Sequence, residues 1–297
     1  MSVLTVNKLF KNYGDLCVLN DVSFDVQPGR LVGFLGPNGA GKTTTIRILL
    51  GLLKMTSGSA SMLNLNCQSQ GPAVRAQVGY IPGDVHLYSN LTGRKTLNFL
   101  QRARGLNCKN EVDRLAERFD LQLDRVVRKY STGMRQKLAL IQALMHRPKL
   151  LVLDEPTSAL DPLVKTVVFD ELKEVVNRGQ SVLFSSHSLN EVEELCDDVI
   201  ILRRGKIVEN QSLETLKKRA LKRIQITFSS EETIPADLPT HFQLTDREGL
   251  VFGGTWNTEV TELIDWLRDL QIDDLIVERP DLNDLFLTYY ANGNPNR

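Results

Sequence analysis

No apolar run in this 297-residue chain approaches the ~18–20 residues needed to cross a bilayer as a helix. The opening residues, MSVLTVNKLF, lack the basic-then-apolar layout of a secretory leader. Any membrane role is therefore expected to come through a partner. Cysteine is sparse and scattered. Cys17, Cys67, Cys108 and Cys196 form no CxxC pair and no Cys/His cluster, which argues against a zinc or disulfide framework and for reduced cytosolic thiols. The four histidines, His86, His146, His187 and His241, are isolated, and three of them read as ordinary surface or core residues. There is no compact Lys/Arg run of the kind that grips nucleic acid. Nor is one sign of charge in excess, since 36 basic and 36 acidic residues leave a net charge of zero.

What is present is ordinary globular material, 42% hydrophobic and 24% charged, so disordered and fibrous classes are excluded. The length suits one large domain plus a small one, or two of medium size. Charge is unevenly spread along it. Residues 222–297 hold six Lys/Arg and fourteen Asp/Glu, a net −8, and residues 1–221 hold thirty and twenty-two, a net +8. That asymmetry favours a domain boundary near 220.

The first thirty residues alternate apolar and polar, as in Val22-Ser23-Phe24-Asp25-Val26, which suits half-buried antiparallel strands. Leu31–Leu35 is instead a short apolar run of the buried parallel kind. It feeds a glycine-rich loop and an apolar-periodic segment (Ile46, Leu49, Leu50, Leu53) expected to be helical. Apolar runs recur at Leu150–Leu153, Val182–Phe184 and Val199–Leu202, with helical stretches such as Val164–Val176 between them. Strands alternating with helices imply a largely parallel sheet with right-handed crossovers. Residues 85–148 lack a comparable strand run and read as a helical insert. Beyond 220, strands are expected at Ile224–Phe228, Phe242–Leu244, Leu250–Phe252 and Leu275–Val277. A helix is expected over 258–270 with Asn257 as its N-cap. A final helix is expected on Leu282, Leu285, Phe286 and Tyr289, followed by a frayed tail.

Chemistry concentrates in two places. Gly36-Pro37-Asn38-Gly39-Ala40-Gly41-Lys42-Thr43 fits the phosphate-loop pattern GxxxxGK(S/T), set between a strand and a helix as that motif requires. Glycines let successive backbone N–H groups turn inward around phosphates, and the helix N-terminus adds its positive dipole end. Lys42 is expected to reach the β- and γ-phosphates, the Thr43 hydroxyl to ligate Mg²⁺, and Thr44 to complete the ATP-binding loop. The second place is Leu150–Leu153 followed by Asp154 and Glu155. An apolar strand ending in two acids places Asp154 to hold Mg²⁺, in the Walker-B role. Glu155 is then the natural general base for a hydrolytic water.

Around these lie further motifs in order. Ser131-Thr132-Gly133-Met134-Arg135-Gln136-Lys137, about twenty residues before Asp154, resembles the signature motif of ATP-binding cassette (ABC) ATPases. Ser158-Ala159-Leu160-Asp161 resembles their D-loop. His187, after the Val182–Phe184 run, falls where the family has its switch histidine, and Tyr13 where an aromatic ring stacks on adenine. The resemblance covers residues 1 to about 215. Thr132 stands where glycine is usual and Met134 where glutamine is. The run Gly79-Tyr80-Ile81-Pro82 precedes the family's Q-loop glutamine, but the chain has Gly83 there, followed by Asp84. Either the Asp84 carboxylate or a water takes over the metal-side role, or Asp84 merely caps the next segment.

The resemblance implies an α/β fold: a P-loop ABC ATPase core of mostly parallel sheet with an N-terminal antiparallel β subdomain. A helical subdomain over about 85–148 and a small acidic α+β domain complete it. The domain limits are expected at 1–218 and 219–297. It further implies two cassettes sandwiching two ATP molecules head to tail, so that Ser131 and Gly133 of one contact the γ-phosphate held by Lys42 of the other. The partner cassette would be a second copy or a paralogue. A single phosphate loop, no room for a coiled-coil arm and no zinc site point to a transporter cassette. The ending Arg279–Tyr290 resembles bacterial drug- and polymer-export ATPases, which work with a separately encoded membrane permease. The expected place is therefore the cytoplasm, at the inner face of the membrane, with no nucleic acid. The alternative is a soluble ABC ATPase acting on nucleic acid or ribosomes. A hydrolysis-dead scaffold is disfavoured by intact Lys42, Asp154 and Glu155.

Overall fold

The computed structural model of the protein describes residues 2–219, 221–235 and 237–278. The chain divides into two compact units, Met1–Leu213 and Glu214–Arg297. The division falls a few residues before the expected 218/219 limit and the boundary near 220 suggested by charge.

In the first unit, chain order runs β1 (Leu4–Tyr13), β2 (Leu16–Val26), β3 (Leu31–Leu35), α1 (Lys42–Leu49), β4 (Ser57–Met62), β5 (Leu65–Asn66), α2 (Gly71–Gln77) and β6 (Val78–Ile81). Then come α3 (Gly93–Ala103), α4 (Lys109–Arg118), α5 (Thr132–Leu144), β7 (Leu150–Asp154), α6 (Pro162–Asn177), β8 (Ser181–Ser186), α7 (Leu189–Leu195), β9 (Asp198–Arg203) and β10 (Lys206–Ser212). The principal sheet has the order β10-β9-β3-β8-β7-β6. Its five strands from β9 to β6 are parallel and β10 is an antiparallel edge. A second, antiparallel sheet has the order β2-β1-β4-β5. This is the α/β ABC architecture implied by the motifs.

Side-chain alternation explains how the layers meet. In β2, Val22, Phe24 and Val26 are buried while Ser23 and Asp25 are exposed, as a strand with one wet face requires. All five residues of β7 are buried, because both of its faces are covered. Leu151 and Leu153 join Leu138 and Ile141 of α5 in one cluster, whereas Leu150 and Val152 join Ile46 and Ile48 of α1 in the other. Burying each such side chain contributes about 1.5–3 kcal/mol. The segment 85–148 contains α3, α4 and α5 and no strand. Its α4 is tied to α6 by Arg114 and Arg118, whose guanidinium groups lie 2.7 and 3.0 Å from the Glu171 carboxylate, itself only 1% exposed.

Three local expectations need correction. Leu53 lies beyond α1, which ends at Leu49. The four-residue strand β6 was not expected, because its Gly79 breaks the apolar run. Any side chain there would collide with the Ala143 carbonyl of α5, whose oxygen would lie 2.3 Å from an added Cβ. The edge strand β10, Lys206–Ser212, was not expected either, since Ile207 and Val208 are its only apolar residues.

The helix α8 (Leu213–Arg219) leads into the second unit, with β11 (Lys222–Phe228), β12 (Phe242–Glu248), β13 (Val251–Trp256), α9 (Val260–Leu267) and β14 (Ile272–Val277). Its sheet order, β12-β13-β11-β14 with antiparallel neighbours, is that of a split βαβ fold whose first crossover lacks a long helix. Phe228, Phe252 and Trp256 pack with Leu263 and Leu267 of α9. Both tryptophans of the chain lie here, Trp256 stacked on Trp266 at 5.8 Å. The N-cap of α9 is Glu259, not Asn257, whose side-chain oxygen instead meets His241 Nδ1 at 3.2 Å. The helix expected on Leu282, Leu285, Phe286 and Tyr289, the ending Arg279–Tyr290 and the tail lie outside the described residues.

Candidate nucleotide site

The loop between β3 and α1 is shaped by close approaches that only glycine permits. An added Cβ at Gly36 would lie 2.3 Å from the Leu202 carbonyl oxygen of β9. Gly41, the N-cap of α1, has φ +109°, a region that L side chains rarely adopt. The result is a cleft of about 360 Å³ lined by Val18, residues 37–44 and Glu155. The first turn of α1 carries no acid, so the positive end of its dipole is uncompensated and suits an anion.

The expected residues gather there. Lys42 is 6% exposed; its Nζ donates to the Gly36 carbonyl at 2.6 Å and lies 3.5 Å from Glu155 Oε1. Asp154, fully buried at the end of β7, accepts from Thr43 Oγ1 at 2.9 Å and from Ser185 Oγ at 2.7 Å. Its carboxylate is thus held on both oxygens, one of them beside the phosphate loop. Its charge, after burial, helps push the neighbouring Tyr80 hydroxyl up to about 12. Glu155 has φ +50°, a backbone state costing on the order of 1 kcal/mol or more for a non-glycine residue. That turn lets two successive acids diverge. Asp154 stays under the loop, while Glu155 reaches Lys42 with one oxygen and His187 Nδ1 with the other, at 2.7 Å. His187 is otherwise largely exposed, at 57%.

Tyr13 stands at the turn end of the β1–β2 hairpin, paired with Leu16, which lies two residues before the cleft-lining Val18. Its ring is half exposed, with Lys11 Nζ 4.4 Å from the centroid. Ser131 and Thr132 are exposed at the start of α5, where the Ser131 hydroxyl accepts from Met134 N at 3.2 Å as the N-cap. Gly133 lies against the next loop, since an added Cβ there would be 3.2 Å from the Ala159 carbonyl oxygen. Ser158 donates to the Glu155 carbonyl at 3.1 Å, and Asp161 caps α6 by accepting from Val164 N at 3.0 Å.

A Cβ at Gly83 would stand 3.4 Å from Asp154 Oδ2, so position 83 overlooks the Asp154 carboxylate. The Asp84 side chain is 87% exposed and meets His86 at 3.7 Å; the structure does not bring it to Thr43 or Asp154.

Other contacts were missed by sequence reasoning. Ser185 shares Asp154, and Gln136 of α5 donates to the Pro156 carbonyl at 2.7 Å. Glu191 of α7 accepts from Thr157 Oγ1 at 3.0 Å, Lys165 Nζ at 2.7 Å and Ser186 Oγ at 2.7 Å. Burial pushes the Glu191 carboxyl up, but the bonds from Lys165, Ser186 and Thr157 and the lysine charge outweigh it and leave it below the ordinary range. Only the serine pair just before His187 hinted at this in the sequence.

A phosphate-loop lysine, a Thr–Asp pair beneath it and a Glu–His pair at its mouth define a nucleotide-handling cassette. The ABC transporter family model matches residues 19–158. The ABC transporter ATP-binding protein YdbJ of Bacillus subtilis is 34% identical over 290 residues, covering 96% of this chain and 94% of that one. The bacitracin transport ATP-binding protein BcrA of Bacillus licheniformis is 36% identical, covering 83% and 82%. A solved ATP-binding subunit of an ABC transporter superposes with a TM-score of 0.69 at 32% identity, covering 73% of this chain and 92% of that one. The chain belongs to the family of ABC transporter ATP-binding proteins. ATP-binding domains of this family hydrolyse ATP, and their subunits work with membrane permease components. These relatives carry transporter names, which gives no support to the alternative of an ATPase acting on nucleic acid. Among the described residues no helix is long and apolar enough to cross a membrane.

Proposed function

We propose that this protein is the ATP-hydrolysing subunit of a bacterial exporter whose permease is a separate chain, docked at the cytoplasmic face of the membrane. The relative named for bacitracin transport supports the export reading. Lys42 and the loop amides bind the β- and γ-phosphates, and Tyr13 stacks on the adenine. Thr43 and Asp154 hold Mg²⁺; their hydroxyl–carboxylate contact of 2.9 Å is a hard-oxygen pair of the type that ion takes. A Mg²⁺ held by Thr43 and Asp154 would supply charge neutralisation at the phosphate oxygens. Asp84 is not part of that pair, its side chain being exposed and directed to His86.

Glu155 takes the proton of the attacking water, and His187 orients Glu155 and senses the γ-phosphate. The observation that carries this reading is the convergence of Lys42 and His187 on the two oxygens of one carboxylate. Ser131, Thr132 and Gly133 meet the nucleotide of a second cassette, with Ser158 and Asp161 in the loop between. Closure of that pair on ATP and reopening after hydrolysis bias a two-state permease. The acidic unit beyond the cassette is an accessory domain. Co-purification of the tagged protein from native membranes tests the export reading. A partner with several membrane spans is expected, and recovery of RNA or ribosomes without one would overturn it.

A further inference from the structure

Glu191 is a largely covered carboxylate that no step above uses. Its side chain is 12% exposed, and it collects donors from three separate segments. Thr157 lies two residues after Glu155, Lys165 lies in the first turns of α6 behind Asp161, and Ser186 immediately precedes His187. The Ser186 hydroxyl does more than donate to Glu191, because it also accepts from Ser188 N at 2.9 Å. The backbone on either side of His187 is therefore tied to one carboxylate. His187 itself has a mostly exposed ring whose contact is with Glu155. Its position is set by its flanking residues rather than by packing around the imidazole.

We propose that Glu191 is a positioning residue that sets the Glu155–His187 contact. Through Thr157 it anchors the strained turn on which Glu155 sits. Through Ser186 it anchors the segment carrying His187, and through Lys165 it references both to α6. A single acceptor thereby holds the two halves of the 2.7 Å contact in one frame, and charge-assisted bonds of this type resist displacement more than neutral ones. The inference rests on the proposed roles of Glu155 and His187.

The test is a double-mutant cycle on the full chain, measuring steady-state ATP hydrolysis, equilibrium nucleotide binding and melting temperature. Glu191→Gln keeps the shape but loses the charge facing Lys165, and turnover is expected to fall roughly tenfold, by kcat rather than KM. In a His187→Ala background the same substitution is expected to change turnover by less than about twofold, because residues acting through one another are not additive. Lys165→Met, which spares the Ser186 and Thr157 bonds, is expected to give a smaller loss than Glu191→Gln. Equal losses in both backgrounds, or a fall in nucleotide binding matching that in turnover, would overturn the proposal in favour of a merely structural role. Wild-type turnover in Glu191→Gln would overturn it as well. If His187→Ala and Glu155→Gln alone keep wild-type turnover, it is the underlying site reading that fails, a result distinct from the other two.

Discussion

The phosphate loop and the signature-like loop at the start of α5 are built on opposite principles. Around the phosphate loop, Lys42 and Asp154 are buried, and Lys42, Thr43, Asp154, Glu155 and His187 all have partners within the same chain. At the signature loop, Ser131 and Thr132 are exposed. Among the described residues no hydrogen bond or ion pair joins them or Gly133 to Lys42, Thr43, Asp154 or Glu155. One surface is preorganised for phosphate, where the charged groups would be costly to bury unpaired. The other is a helix start with an exposed polar face. On the proposed function, the difference would let a cassette hold nucleotide alone while turnover needs a second copy.

The contrast can be broken first at its catalytic end. Glu155→Gln is expected to lower turnover by about 10²–10⁴-fold, the usual worth of a positioned general base, while equilibrium ATP binding persists. Hydrolysis at the wild-type rate would show that another group takes the proton. On the signature side, Ser131→Asn should keep the N-cap and hence the melting temperature, yet reduce turnover roughly tenfold with nucleotide binding by the isolated chain unchanged. A matching loss in single-chain binding would erase the distinction between the surfaces.

A subtler change sharpens the metal side. Gly83→Gln introduces an amide over Asp154 with an ordinary first contact of 3.4 Å. It should lower the Mg²⁺ concentration for half-maximal hydrolysis by about two- to tenfold, the worth of one hydrogen bond of ~0.5–1.5 kcal/mol. Asp84→Ala should leave that concentration where it was, and a shift there would return Asp84 to the metal shell.

The smallest effect concerns His146, away from both surfaces. Burial and then the Arg104 charge lower its pKa from 6.5 to about 4. As pH falls through that window the unfolded chain binds a proton that the folded chain refuses, so stability is lost on acidification. His146→Gln should flatten the fall in melting temperature between those two pH values.

Much of the fold was legible because burial leaves a period. Val22, Phe24 and Val26 alternate with wet residues, and Leu150–Leu153 form a continuous apolar run, as a half-covered and a fully covered strand must. The strand β6 was illegible for the converse reason: packing of α5 demanded a glycine inside it. The cap of α9 misled because Asn257 spends its side chain on His241. Glu191 escaped notice because two of its partners, Thr157 and Lys165, lie 34 and 26 residues away, a separation that no local pattern encodes.

The sequence by itself determined the chemical inventory: a lysine, a threonine, two acids and a histidine attached to strand ends and a helix start. Spacing sufficed for that, because a phosphate loop is a local strand–loop–helix device. Only the tertiary structure decided how the inventory is divided. Asp154 and Glu155 are neighbours, yet a left-handed turn sends one beneath the loop and the other toward His187. Gly83 overlooks the Asp154 carboxylate while Asp84 points to solvent. Direction at a strand end depends on backbone dihedrals and on the elements packed above, and neither is written in the spacing of residues.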